Sequence, residues 1–265
     1  MEFRSALPTS NTRQQPRIPS RLDPISTRKR DESTPLGLDL KVTECQAERE
    51  QAFRLVQELY CRTGLSAGDP QGLRVMKHHL LDTTAVVVAK QQQRVSFTAT
   101  LVGDGESGLP MEALFKAEID AMRSGGLRLA EVSCLASRTG TDDKRRCFQM
   151  LVQVIGLVIQ TARRRGIDRL VLAVHPKHAK VYERLFGCER YSEVKQYAAV
   201  RGNPAILCVH DFAKLDQTGY PLFGQVYNPK YAPWQLDGAH MTDAEKRYFA
   251  QYLPIQDHEM VPMAA

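Results

Sequence analysis

The stretch Leu129-Ala130-Glu131-Val132-Ser133-Cys134-Leu135-Ala136 decides how the chain is read. Its apolar content is that of a buried strand. Alternation along a strand puts Leu129, Glu131, Ser133 and Leu135 on one face and Ala130, Val132, Cys134 and Ala136 on the other. The second face is small and apolar, suited to pack under a helix. The first carries a carboxylate and a hydroxyl inside a strand, placed for chemistry or simply hydrogen-bonded in the core. Downstream, a polar turn from Ser137 leads after Asp143 to a helix with Leu151, Ile155, Val158, Ile159 and Ala162 on one face and Gly166 as its stop. Arg169 to Val174 reads as a buried strand that His175-Pro176 ends, and a short helix runs from Lys177 to Phe186 before Gly187. From Ala130 to Gly187 the order is therefore a βαβ unit followed by a helix.

Working upstream, helical spacing of Ala52, Phe53, Val56, Leu59 and Tyr60 predicts a helix over Glu44 to Arg62, with Gly64 just past its end. A second helix is expected over Pro70 to Leu81. Thr84 to Lys90 and Arg94 to Val102 are rich in Val, Thr and Phe, and Gln91-Gln92-Gln93 between them suits a hairpin. Pro110 to Arg123 carries an apolar stripe, Met111, Leu114, Phe115, Ile119 and Met122, ended by Gly125-Gly126. Further downstream, Glu193 to Arg201 and Ala205 to Phe212 are extended runs that complete a mixed sheet. The fold class expected is α+β, close to α/β. Residues 216–265 form an aromatic-rich extension among Pro, Gly and Asn, expected to pack on the domain of residues 36–215, with a capping box at Thr242-Asp243-Ala244-Glu245.

At 265 residues and 43% hydrophobic content the chain can bury one substantial core. No apolar run approaches the roughly 20 residues that cross a bilayer, so no transmembrane segment is expected. Residues 1–35 read as a disordered basic tail rich in Pro and Ser, with seven basic against four acidic residues in its first 34. That tail lacks the apolar stretch of a secretory signal, which makes a cytoplasmic location the expectation. The six cysteines are scattered with no C-x-x-C pair, which argues against a zinc site, and no metal is expected. Nor is nucleic acid an expected partner: the net charge of +6 lies partly in the tail, and no finger or stacking-platform pattern accompanies it.

With that element order, the segments L-A-E-V-S-C-L-A, V-H-P-K-H-A-K-V-Y-E-R-L-F-G and L-P-M-E-A-L-F-K-A-E-I-D-A-M-R resemble the GNAT acyltransferase superfamily. More narrowly they resemble its long-chain N-acyl amino acid synthases, the FeeM-type enzymes, over roughly Leu38 to Asp211. The resemblance implies a GNAT fold: a mixed central sheet with a splayed strand pair, flanking helices and a helix inserted between the third and fourth strands. It implies an enzyme that moves a long-chain acyl group from an acyl-carrier-protein thioester, or from acyl-CoA, to the α-amine of an amino acid. It further implies no permanently bound cofactor, an acyl-phosphopantetheine donor, and the acyl carrier protein and the amino acid as partners. Alternative readings are an acyl-homoserine-lactone-type autoinducer synthase, a short-chain acetyl-CoA-dependent N-acetyltransferase, and a non-catalytic GNAT-fold binding module. The lactone synthases' N-terminal Trp and Arg pattern is missing here, Trp234 being the one tryptophan.

By the same resemblance, the strands holding Leu129–Ala136 and Arg169–Val174 splay, and the acyl-pantetheine lies between them with its carbonyl near the backbone N–H of Leu135 or Ala136. Glu131 is the candidate general base, with His175 its competitor and Ser133 a group that positions water or amine. Tyr182 matches the tyrosine that protonates the leaving thiolate, one residue farther from the following glycine than the usual spacing. Ordinary GNAT enzymes cradle a pyrophosphate with a glycine-rich turn, whereas this turn, Ser137 through Thr139 to Arg146, has one glycine and two aspartates. Such a loop leans towards a carrier-protein donor. Lys144, Arg145 and Arg146 oppose the helix dipole and call for an anion, whereas Arg163, Arg164 and Arg165 read as a solvated cationic cap. Met111, Leu114, Phe115, Ile119 and Met122 are the candidate acyl pocket.

Overall fold

The computed structural model describes residues 37–69, 72–138 and 143–254. The basic tail, Thr139 and the rest of its turn to Asp142 lie outside the described residues. In chain order the elements are β1 (Asp39–Val42), α1 (Gln46–Arg62), β2 (Thr84–Gln91), β3 (Arg94–Gly103), α2 (Glu112–Ser124), β4 (Leu129–Ser137) and α3 (Lys144–Arg164). They continue with β5 (Arg169–Val174), α4 (Pro176–Phe186), β6 (Glu189–Arg190), β7 (Lys195–Tyr197) and β8 (Asn203–Asp211). Four short helices follow: α5 (Phe212–Thr218), α6 (Phe223–Tyr227), α7 (Pro233–Asp237) and α8 (Asp243–Ala250).

The strands join in the order β1-β2-β3-β4-β5-β8-β6, with β7 pairing β8 off this path. Among the described residues only β4 and β5 pair in parallel. The β2–β3 hairpin closes through Gln92 and Gln93, both at positive φ (49° and 65°), the conformation of a two-residue hairpin turn. Two glutamines adopt it at some backbone cost because the flanking Val-rich strands fix the register.

Helices α3 and α4 cover one face of the sheet with α6 and α7 behind them, burying Met150, Leu157, Val158, Phe186, Val226 and Leu236. On the other face α1 covers one end, with Phe53, Val56 and Phe249 buried there, and α2 covers the other with Met111, Phe115 and Ile119. The inserted helix therefore joins the third and fourth strands in the chain and covers the end of that face away from α1.

Two expectations are corrected. Residues 72–76 are not helical, and the expected second helix survives only as a 3-10 turn, Lys77–Leu80. Its backbone donors are used elsewhere: Arg74 N–H bonds the Phe53 carbonyl and Met76 N–H bonds His79 Nδ1. The three arginines at the end of α3 are not a solvated cap. Arg163 pairs with Asp216, Arg164 with Asp237, and Arg165 donates to the Thr83 carbonyl, so two of them tie the C-terminal extension to the domain. Arg49, buried in α1, does the same by pairing with Glu245 of α8.

Candidate active site

The site forms where β4 and β5 separate. Their parallel ladder runs only through Leu129–Arg169, Ala130–Leu170 and Glu131–Val171. Beyond Glu131 both strands continue, β4 to Ser137 and β5 to Val174, with no pairing between them. Two features of β4 hold them apart. It follows β3 instead, pairing up to Phe97–Ser137, and it carries a bulge: Thr98 faces Ala136 and Thr100 faces Ser133, leaving two β4 residues, Cys134 and Leu135, opposite Ala99 alone. Cys134 absorbs the extra residue at φ 52°.

The bulge changes which side chains share a face. Ala130 and Val132 lie with Leu135 under α3, while Cys134 and Ala136 join the α1 side. Strict alternation put Leu135 with Glu131, and Cys134 and Ala136 opposite them; one inserted residue reverses that assignment. A bulge also frees backbone groups from the ladder, so the Cys134–Leu135 peptide region offers hydrogen-bonding groups at the edge of the gap.

Glu131 occupies the last paired position and is 3% exposed. The inserted helix reaches it directly: Met111 caps α2, and its N–H donates to Glu131 Oε2 at 2.7 Å. Burial pushes the carboxyl up to about 8, against the pull of the Met111 N–H. The result is a carboxyl that titrates in the range useful for moving a proton near neutrality.

Ser133 Oγ is buried without a hydrogen-bond partner of normal length, with a weak contact to the Cys134 thiol in its place. His175 follows β5 and caps α4, its Nδ1 accepting from Lys177 N–H at 3.1 Å. A neutral imidazole with Nδ1 so engaged carries its proton on Nε2 and has no free lone pair. His178 lies beside it, ring centroids 6.1 Å apart, on the exposed side of α4. Tyr182 is half-buried on α4, its hydroxyl pushed up to about 12 by burial, and it borders an apolar cleft with Val132, Leu172, Ile155, Phe186 and His210. That cleft lies on the α3 side of the parted strands and closes to about 20 Å³. The stripe of α2 lies on the opposite side, with Met111, Phe115, Ile119 and Met122 fully packed and Leu114 partly covered.

Leu135 and Ala136 stand at the bulge, and Ser137 ends β4. At the start of α3, Asp143 supplies the cap, its carboxylate accepting from Arg146 N–H at 2.8 Å. One N–H of the helix start is thus satisfied within the chain. Lys144 and Arg145 are exposed, and Arg146 reaches Gln91.

Three residues outside β4, Tyr60, Arg74 and Tyr197, lie within electrostatic reach of Cys134. Tyr60, at the end of α1, carries the Arg74 guanidinium over its ring at 4.6 Å. Tyr197, on β7, donates to the Pro110 carbonyl beside Met111. Burial pushes the hydroxyls of Tyr60 and Tyr197 and the thiol of Cys134 up, and the Glu131 carboxyl adds to each of these shifts. Among the described residues no cluster is arranged to hold a metal ion, and no helix is long and apolar enough to cross a membrane.

A family model, the N-acyl amino acid synthase FeeM, matches residues 51–211, more than half of the chain. Among solved structures, FeeM, an N-acyl amino acid synthase from uncultured soil microbes, is similar with a TM-score of 0.59 at 22% identity, covering 70% of this chain and 95% of that one. A CoA-dependent acyl-homoserine lactone synthase, BjaI, is similar with a TM-score of 0.48 at 15% identity over 70% of this chain and 92% of that one. An acyl-CoA N-acyltransferase from Pseudomonas aeruginosa follows, with a TM-score of 0.42 at 15% identity over 65% of this chain and 99% of that one. A comparison with curated protein sequences finds no match. The parallel strands that part and the inserted helix are what the resemblance implied, and the chain belongs to the FeeM N-acyl amino acid synthase family and is an acyltransferase with the GNAT fold.

Proposed function

We propose that the chain moves a long-chain acyl group from a phosphopantetheine thioester to the α-amine of an amino acid, with Glu131 as the general base. The observation that carries this reading is a buried carboxyl, titrating near 8, at the point where two parallel strands part. In the reaction Glu131 takes a proton from the substrate ammonium, directly or through a water that Ser133 orients. The freed amine attacks the thioester carbonyl and its carbon–nitrogen bond forms. The oxyanion is met by a backbone N–H near Leu135 and Ala136. The carbon–sulfur bond then breaks, the thiolate takes a proton from Tyr182, whose hydroxyl stays protonated at neutral pH, and the new amide nitrogen sheds its surplus proton, which restores Tyr182 through water. His175 is left out of the base role because its lone pair caps α4.

The donor proposed is an acyl carrier protein. Asp143 already satisfies part of the α3 start, which suits a single phosphodiester better than a pyrophosphate, and Ser137 and Thr139 belong to the same turn. Exposed Lys144 and Arg145, with Arg146, offer cations to an acidic carrier. The acyl chain is proposed to lie against Met111, Leu114, Phe115, Ile119 and Met122; α2 is kinked at Phe115 (φ −119°, ψ 32°), and its methionines can adjust to a guest.

The test compares acyl carrier protein and acyl-CoA as donors for purified protein, with Lys144 and Arg145 both changed to Glu. Charge reversal is expected to raise KM for the carrier-bound donor about tenfold or more, in a salt-dependent way, and that for acyl-CoA far less. An equal effect on both donors, or none on the carrier, contradicts the carrier assignment.

A further inference from the structure

Thr98 and Thr100 of β3 pair with Val88 and Val86, which pack in the cluster under α1, so both hydroxyls stand on that face of the sheet. Thr98 donates to the Val87 carbonyl of the neighbouring strand at 2.9 Å, which satisfies a buried hydroxyl within the sheet. Thr100, 2% exposed, lies instead between a histidine and the bulge of β4. His79, in the 3-10 turn Lys77–Leu80, approaches its Oγ1 through Nε2 at 3.4 Å, and the same hydroxyl contacts the Cys134 thiol.

The imidazole sets the direction of these hydrogen bonds. Met76 N–H donates to His79 Nδ1 at 3.0 Å, and burial drives the ring's titration down to about 3, so the neutral ring carries its proton on Nε2. Nε2–H therefore donates to Thr100, whose own hydrogen is left to turn to the thiol. The ring is itself clamped, stacked on Phe53 of α1 at 4.4 Å, and Phe249 of α8 meets Phe53 edge-on at 5.1 Å. At the far end of the chain Cys134 holds φ 52°, a left-handed conformation that a residue with a Cβ keeps only when its surroundings impose it. Pairing to β3 fixes Ser133 opposite Thr100 and Ala136 opposite Thr98, and leaves the Cys134–Leu135 peptide outside that register.

We propose that His79 and Thr100 are positioning residues: acting through the Cys134 side chain, they hold the bulge of β4 in the conformation that aims a backbone N–H of Leu135 or Ala136 at the oxyanion. The inference rests on the acyl-transfer reading and adds to it. Neither residue is assigned a contact with substrate, so they set the alignment of the transition state and not the binding of donor or acceptor.

The experiment offers the full chain a mixture of the standard amino acids, with the palmitoyl thioester of acyl carrier protein or of coenzyme A as donor, and takes kinetics with the amino acid used best. Thr100→Val removes the hydroxyl at nearly constant volume. It is expected to lower kcat about 10- to 100-fold, with both KM values within about twofold and the pH dependence of kcat/KM unmoved. Thr100→Ser, which keeps the hydroxyl, is expected to recover most of the rate. His79→Phe keeps the stack on Phe53 without the ring N–H; it is expected to lower kcat in the same way and to add nothing to Thr100→Val in the double variant. Melting curves identify a variant that fails to fold, and Thr100→Ala takes the place of Thr100→Val if that one does. Wild-type kcat in the variant without the hydroxyl, a loss confined to KM, no recovery in Thr100→Ser, or additive effects of the two substitutions overturns the inference alone. A wild type that acylates no amino acid overturns the synthase reading, and this inference with it.

Discussion

Glu131 is subject to two opposing demands, one from folding and one from chemistry. Burial raises its carboxyl to about 8, well above the ordinary value of 4.5. A group raised in the folded state contributes stability that is complete below its unfolded value and lost as pH rises through the folded one. Glu131→Gln keeps the acceptor for Met111 N–H but cannot ionise. It is therefore expected to match the wild type in denaturation midpoint at about pH 4 and to exceed it by a few kcal/mol at about pH 9. Equal midpoints at both pH values contradict the raised titration. The inward position of Glu131 was legible from the alternation of β4, but its partner was not, because the Met111 N–H comes from 20 residues upstream. Arg74 was hidden for another reason: its segment has the apolar spacing of a helix, yet its backbone donors bond to Phe53 and, at Met76, to His79.

At the scale of elements, α1 is locked to β1 and β2 by charge. Glu48, on α1, meets Lys41 of β1 at 2.9 Å and Lys90 of β2 at 2.7 Å, with all three side chains at most 9% exposed. Burial pushes Glu48 up, but the Glu44 N–H and the two lysines outweigh it and hold the carboxyl below the ordinary range. Its stabilising contribution is thus present above about pH 4.5 and lost as pH falls through the depressed value. Glu48→Ala leaves two buried ammonium groups without their shared partner and is expected to cost about 3–5 kcal/mol in urea denaturation at neutral pH. A loss below about 1 kcal/mol contradicts that role. The order and type of the main elements were legible because their periodicities are long and clean. The bulge at Cys134 was not, since nothing in L-A-E-V-S-C-L-A marks where one residue drops out of register; the bulge conformation is held by pairing to β3.

Across the whole molecule, the C-terminal extension contributes to the folded core. Leu222, Val226 and Leu236 join the cluster under α3, and Phe249 and Leu253 join the one under α1. Each such side chain contributes about 1.5–3 kcal/mol when buried, so five together rival the net stability of a domain. A chain stopped after Gly219 is expected to show no cooperative thermal transition by circular dichroism; a transition within a few degrees of the full chain contradicts this dependence. The sequence marks the extension as aromatic-rich, yet the pairs Arg163–Asp216 and Arg164–Asp237 span 53 and 73 residues, beyond what local pattern exposes.

The central claim, that Glu131 accepts the proton released as an amino acid is acylated, is tested most directly by the pH dependence of kcat/KM. Acyl transfer to an amino acid is followed by mass spectrometry for the wild type and for Glu131→Gln. The account predicts that the wild-type rate rises with pH through an apparent pKa near 8, and that the variant loses this limb together with about 10²–10⁴-fold in rate. A Glu131→Gln enzyme with the wild-type rate and the wild-type pH profile would contradict it.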